Sequence, residues 1–268
     1  MLTIGVSMVW QISAGVAATL KTCFTSKEHL FISLYVQNIA GRRRLYVNRL
    51  TTGELETVSS FARSMNVTDV AIMFDDIVVA PELGTALTDY SYSVLLQRHD
   101  ELVRDILEKI GSGEIIKSTG NGLLIVFNTP TAAVETALAI QKSYRDIRSS
   151  RVRIGIGMGS FSDIKKSHLK MEEDNPIAIT YAIMRLSPGE HILTDKTVFE
   201  MSGPCDSDSV AWHCFGTASL KGGLGLKTIC EVYDPRYITR LFDLQKDEKI
   251  SDMRDIIDGA MISRAGLL

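Results

Sequence analysis

The dipeptide Asn121-Gly122, set between two apolar runs, constrains this chain more than any other short feature. Glu114-Ile115-Ile116-Lys117-Ser118-Thr119 precedes it and Leu123-Leu124-Ile125-Val126-Phe127 follows it. Asn and Gly both tolerate positive φ, as a tight turn between antiparallel strands requires, so the segment predicts a β-hairpin. Upstream, the apolar run Val70-Ala71-Ile72-Met73-Phe74 is broken by Asp75-Asp76 and resumes at Ile77-Val78-Val79. That pattern reads as a buried strand interrupted by acids. Pro81 and Gly84 mark a loop, and Leu95, His99, Leu102, Val103, Ile106, Leu107 and Ile110 share one face of a helix over about 92–110. Thr129-Pro130 opens a second helix, and Val152 to Met158 forms the next strand.

The resulting order, β-α-β-β-α-β, is the ferredoxin-like α+β pattern, a sheet with its helices on one face. Such a sheet leaves its other face to be covered by extra elements or a second chain. Further on, a polar segment from Ser160 to Glu173 leads into a short helix over 176–186. Ile192-Leu193 is a short strand, Lys196 to Met201 a helical turn, and strands near 209–215 and 227–233 close the unit. The chain therefore divides into a leader of unassigned structure (1–66), a folded domain (67–235) and an amphipathic helical tail (236–268), with Ile250, Met253, Ile257, Ala260 and Met261 on one stripe of the tail.

Composition narrows the function classes. Twenty-nine Lys and Arg stand against 32 Asp and Glu, a formal charge of −3 that lacks the basic excess of a dedicated nucleic-acid binder. Residues 2–20 carry no charge and form a weak candidate membrane segment, diluted by Thr3, Gly5, Ser7, Gln11, Ser13, Gly15 and Thr19. No basic residue opens it, which argues against a secretory signal, and Arg42-Arg43-Arg44 would bias the following domain to the cytoplasm. Cys23, Cys205, Cys214 and Cys230 form no C-x-x-C pair. They read as buried thiols in a reducing compartment rather than as a zinc site.

An acid inside an apolar strand is costly unless paired or bound to a metal, which singles out Asp76. A strand end beside a hairpin tip is a place for oxygen ligands to meet around a divalent cation, with Asn121 offering a neutral amide oxygen. Asn121 is equally the preferred turn residue before Gly122.

Several runs together resemble the class III adenylate/guanylate cyclase catalytic domain. They are Phe74-Asp75-Asp76-Ile77, then Glu114 to Gly122, then Arg153-Ile154-Gly155-Ile156-Gly157-Met158-Gly159. Ile192-Leu193-Thr194, Trp212-His213-Cys214-Phe215-Gly216, Ser219-Leu220-Lys221-Gly222 and Ile229-Cys230-Glu231-Val232-Tyr233 continue the series across residues 69–235. The resemblance implies conversion of ATP to 3′,5′-cyclic AMP and pyrophosphate, with two Mg²⁺ or Mn²⁺ ions assisting attack of the ribose 3′-OH on the α-phosphate. It also implies a homodimer, or a heterodimer with another cyclase domain, whose site is shared between chains. Carried over by position, Asp76, the Ile77 carbonyl and Asn121 would hold metal, Lys117 and Asp174 would read adenine, and Lys221 would contact the triphosphate. Arg185 would be the catalytic arginine in one register of the helix 176–186. The plainer roles are an edge-strand lysine for Lys117, a helix N-cap for Asp174 and a turn lysine for Lys221.

The departures from the family pattern matter as much. Asn121 stands where the family has Asp, and losing one strong electrostatic contact costs about 10²–10³ in rate. With Arg185 aligned to the catalytic arginine, Tyr181 replaces the family's asparagine and the following loop is short; aligned without a gap, both functional residues are missing. Val79-Ala80 replaces a frequent Gly-Phe. Two readings follow: an adenylate cyclase, or a catalytically impaired pseudo-cyclase that pairs with and regulates or complements a partner.

Overall fold

The computed structural model of the chain describes residues 50–79, 89–145, 147, 150–169, 175–202, 210–220 and 223–237. The candidate membrane segment 2–20 and the tail beyond Tyr237 lie outside them. Among the described residues, no helix is long and apolar enough to cross a membrane.

In chain order the elements are α1 (Thr52–Ser64), β1 (Asp69–Val79), α2 (Asp89–Ile110), β2 (Gly113–Ser118), β3 (Leu123–Phe127), α3 (Pro130–Tyr144) and β4 (Ser150–Ser160). Then follow α4 (Phe161–Leu169), α5 (Pro176–Leu186), β5 (Ile192–Asp195), α6 (Lys196–Ser202), β6 (Ala211–Ser219) and β7 (Leu226–Tyr233). The strands form one seven-stranded sheet in the order β2-β3-β1-β4-β5-β7-β6. Every neighbouring pair is antiparallel except β4 with β5. The first four strands reproduce the expected β-α-β-β-α-β unit.

Strand β1 is the axis of the sheet, because its alternate residues face opposite sides. Ala71, Met73 and Ile77 join a core with Val103 and Leu107 of α2, Ala133, Ala137 and Ile140 of α3, and Ile154 and Ile156 of β4. Val70, Ile72 and Phe74 join a second core with Ile116, Leu124 and Val126, which α1, α4 and α5 cover. The second face is thus closed from within the chain, by α1 from the stretch the sequence left unassigned and by α4 from the stretch read only as polar.

Local chemistry explains the helix starts. Thr51 and Glu54 form a capping box at α1, Thr51 Oγ1 accepting from the Glu54 N–H and Glu54 Oε2 accepting from the Thr51 N–H at 2.7 Å. Thr129 caps α3 ahead of Pro130. At α5, Asn175 rather than Asp174 is the cap: its Oδ1 accepts from the Ile177 and Ala178 N–H groups, with Pro176 next to it.

The register of α5 is set by a strip of glycines on β4. A side chain at Gly155 would meet Met184, one at Gly157 would meet Thr180 Oγ1, and one at Gly159 would meet Pro176. Residues 176, 180 and 184 are one helical turn apart, and alternate residues of a strand share a face. The bare strip therefore lets α5 lie close against the sheet. This packing turns Tyr181 edge-on against Phe74, with ring centroids 5.4 Å apart.

One cysteine expectation is corrected. Strand pairing sets Cys214 of β6 directly opposite Cys230 of β7, and the two form a disulfide. Cys23 and Cys205 lie outside the described residues.

Candidate active site

The strand end and the hairpin tip do meet. The Ile77 N–H donates to the Asn121 carbonyl at 2.8 Å, and the Asn121 side-chain amide donates to the Ile77 carbonyl at 3.4 Å. Only an N–H can face a carbonyl oxygen favourably, so this contact turns the Asn121 Nδ2 toward Ile77. Asp75 holds the tip from below. Its Oδ1 accepts from the Leu123 N–H at 2.7 Å, and a Cβ at Gly122 would sit 2.0 Å from the Asp75 carbonyl oxygen. No side chain fits at position 122, whatever its preference for turns.

Asp76 points to the opposite face from Asp75. It is 4% exposed, and directly across the β1–β4 ladder lies Arg153, which is fully buried. Arg153 donates to Asp76 Oδ2 from Nε at 2.8 Å and from Nη2, while its Nη1 reaches the Ser187 carbonyl at 3.4 Å. The guanidinium thus ties β1 to β4 and to the C-terminal end of α5, where a positive charge is favoured. Arg185, in the last turn of α5, adds a second guanidinium 3.7 Å from the same Asp76 oxygen.

These residues do not fit a divalent cation as they stand. A cation at Asp76 would need the carboxylate that two guanidinium groups already neutralise, and like charges repel in a buried site. The Ile77 carbonyl accepts an amide hydrogen, and Asn121 directs that amide rather than an oxygen at it. Among the described residues, no group of three or more His, Cys, Asp or Glu side chains is placed to hold a metal.

The other expected residues divide. Lys117 is largely buried and pairs with Glu54 of α1 at 3.5 Å, its pKa lowered by burial although the carboxylate opposes the shift. Asp174 and Lys221 lie outside the described residues. The sequence reading missed Arg153, which sits in a quoted motif but becomes informative only when β1 and β4 are paired in register. It also missed Glu54, although the Thr51-x-x-Glu54 spacing was available as a capping-box signal.

A third buried cluster supports the tip from the other face. His99 Nε2 lies 3.0 Å from Asp75 Oδ1, and its Nδ1 lies 2.9 Å from the Tyr144 hydroxyl. Burial pulls the His99 pKa down, but the Asp75 carboxylate outweighs it, with smaller help from Asp100 and Asp76, and the net shift is upward. Burial also raises the Tyr144 phenol, with Asp75 adding to it. A raised His pKa contributes stability that is full below the ordinary value of 6.5 and is lost as pH rises through the folded-state value. The stability advantage of wild type over His99→Gln is therefore expected to shrink as pH rises above 6.5. Urea midpoints of both proteins across that range measure it, and a pH-independent difference would contradict the charge assignment.

A scan against protein-family models and a search of curated proteins return no match. Solved structures do match. An adenylate cyclase from Trypanosoma brucei, solved in its monomeric state, superposes with a TM-score of 0.50 at 16% identity, covering 66% of this chain and 93% of that one. The catalytic core of a rhodopsin-guanylyl cyclase with converted specificity, in complex with ATPαS, gives 0.50 at 16% identity, covering 62% and 96%. The guanylate cyclase domain from Catenaria anguillulae, in complex with GTP, gives 0.50 at 14% identity, covering 62% and 97%. The chain has the nucleotidyl cyclase catalytic-domain fold. Within that cyclase fold, the position read as the first metal aspartate is held by Arg153 and Arg185 of its own chain.

Proposed function

We propose that this cyclase-fold domain is a catalytically impaired member of a cyclic-nucleotide signalling system that regulates or complements a partner cyclase domain. The observation that carries this reading is the buried Arg153–Asp76 ion pair. A carboxylate can ligate a catalytic cation only when its charge is available, and here an arginine of the same chain uses it. The side chain of Asn121 adds no charge, and the aromatic ring of Tyr181 is packed against Phe74 rather than offered to a substrate.

A second reading, an ATP-cyclising adenylate cyclase, is favoured by one observation: Asp76, Ile77 and Asn121 are neighbours in space as well as in motif. On that reading Lys117 reads the adenine base in a homodimer, and Asp76, the Ile77 carbonyl and Asn121 would hold the Mg²⁺ or Mn²⁺ that supplies Lewis-acid chemistry, once Asp76 is released from Arg153.

Cyclic-nucleotide and pyrophosphate release from ATP and GTP, at high Mn²⁺ and high protein concentration, separates the two. The impaired reading predicts no turnover above that of an Asp76→Ala control. It also predicts no gain from Asn121→Asp, because Arg153 still holds the first carboxylate. Turnover lost in Asp76→Ala, or a large gain in Asn121→Asp, would establish the second reading instead.

A further inference from the structure

The Cys214–Cys230 disulfide lies at the rim of the sheet. Strand β6 is the last in the strand order, so one of its edges has no neighbour among the described strands. The two cysteines are directly opposite in the β6–β7 ladder, yet their surroundings differ. Cys230 is fully buried on β7, between β5 and β6, whereas Cys214 is exposed. Thiol attack on a disulfide depends on access to one of its sulfurs, and exposed disulfides are the labile ones.

Strand β6 depends on that bond more than β7 does. Of the nine residues of β6, only Ala218 is buried. Its ladder with β7 breaks between Cys214 and Gly216, where Phe215 is the extra residue of a bulge and Gly216 takes a φ of 100°. A bulge leaves its extra residue unpaired and disrupts the ladder locally. The disulfide occupies the last regular pair before that break. Ahead of it, Trp212 meets Phe199 of α6 edge-on, with ring centroids 5.2 Å apart. Strand β7, by contrast, is paired on both sides and buries Ile229, Cys230, Glu231 and Val232. Breaking the S–S bond therefore loosens β6 and leaves β7 in place.

We propose that Cys214–Cys230 is a reversible exchange site for dithiol reductants, entered at the Cys214 sulfur, and that its redox state sets whether β6 is clamped to β7. In the forward step a reductant thiolate attacks Cys214 Sγ. The S–S bond breaks, its electron pair leaves on Cys230 Sγ, and that sulfur takes a proton. A mixed disulfide then joins Cys214 to the reductant. The second thiolate of the reductant attacks its own sulfur in that bond and releases Cys214 as a thiolate, which is protonated in turn. Two electrons and two protons pass to the protein, and the dithiol becomes a disulfide. An oxidised dithiol runs the exchange backwards. The thiols expected from the sequence and the disulfide of the structure are thus two states of one pair. The site uses no residue of the Asp76 cluster and stands apart from the proposed function.

Stepwise reduction of the oxidised wild-type chain with dithiothreitol, quenched by a thiol-alkylating reagent, tests the proposal. Mass spectrometry reads each cysteine peptide separately, so Cys23 and Cys205 are told apart from the pair. The pair should open while circular dichroism stays native. Hydrogen exchange at the β6 amides should then rise roughly tenfold or more, with β1 and β4 unchanged. Glutathione in place of dithiothreitol locates the entry sulfur, because a monothiol leaves the mixed disulfide standing. That adduct should fall on Cys214 at least about tenfold more often than on Cys230. Three results would each overturn the proposal: a pair that opens only as the whole domain unfolds, β6 exchange that is equal in both redox states, or glutathione shared evenly between the two sulfurs. Oxidised wild type that lacks the Cys214–Cys230 bond would overturn it as well.

Discussion

Replacing Arg153 with Met will lower the stability of this domain by about 3–5 kcal/mol, the usual cost of leaving one member of a buried ion pair without its partner. Asp76 is 4% exposed and accepts from both Nε and Nη2 of Arg153. Arg185 offsets part of the loss, but it stands 3.7 Å away and keeps some contact with solvent. The double variant Arg153→Met with Asp76→Asn should recover most of the stability, since removing both charges leaves no buried ion unpaired. Urea unfolding followed by circular dichroism measures all three proteins. A loss below about 1 kcal/mol in the single variant, the scale of an exposed pair, would mean that Asp76 is solvated and open to other ligands.

The second large effect lies on the glycine strip. Gly155→Val is expected to cost about 1–3 kcal/mol or more, the range for forcing atoms into a filled core. The new Cβ would approach the Met184 backbone nitrogen to 2.6 Å and its Cα to 2.7 Å, so the helix itself must move, not merely a flexible side chain. Gly53→Ala is the control. Position 53 lies in the first turn of α1 with nothing within 4 Å of a new Cβ, and alanine there should be neutral or stabilising by a few tenths to about 1 kcal/mol. Thermal unfolding of the two variants compares them. Equal melting temperatures would contradict close packing of α5 on β4.

These two residues also mark where the sequence is legible and where it is not. The strands and helices of the first unit follow from short-range periodicity, and the hairpin from Asn121-Gly122. The glycines at 155, 157 and 159 were visible as an alternating run, but their meaning depends on Pro176, Thr180 and Met184, which arrive on a separate helix. Arg153 has the same difficulty: it is paired with Asp76 through strand register, across 77 residues of sequence. The disulfide between Cys214 and Cys230 likewise requires the β6–β7 pairing. Helix α1 is different, since its capping box and the apolar positions Val58, Phe61 and Ala62 are local features, and the reading passed over them.

The two adjacent acids of β1 are each bound from within the chain, on opposite faces of the sheet. On one face of β1, Asp75 is bound to His99 and braces the hairpin tip; on the other, Asp76 is bound to Arg153. Adjacent acids in one strand are each given a partner from within the chain, which allows both to be buried.

Calorimetric titration of the wild-type domain with Mn²⁺, alone and with a non-hydrolysable ATP analogue, addresses the central claim directly. If Arg153 and Arg185 neutralise Asp76, the heats of wild type and Asp76→Asn should be indistinguishable, with no saturable site that depends on that carboxylate. Stoichiometric Mn²⁺ binding in the wild type that disappears in Asp76→Asn would contradict the account.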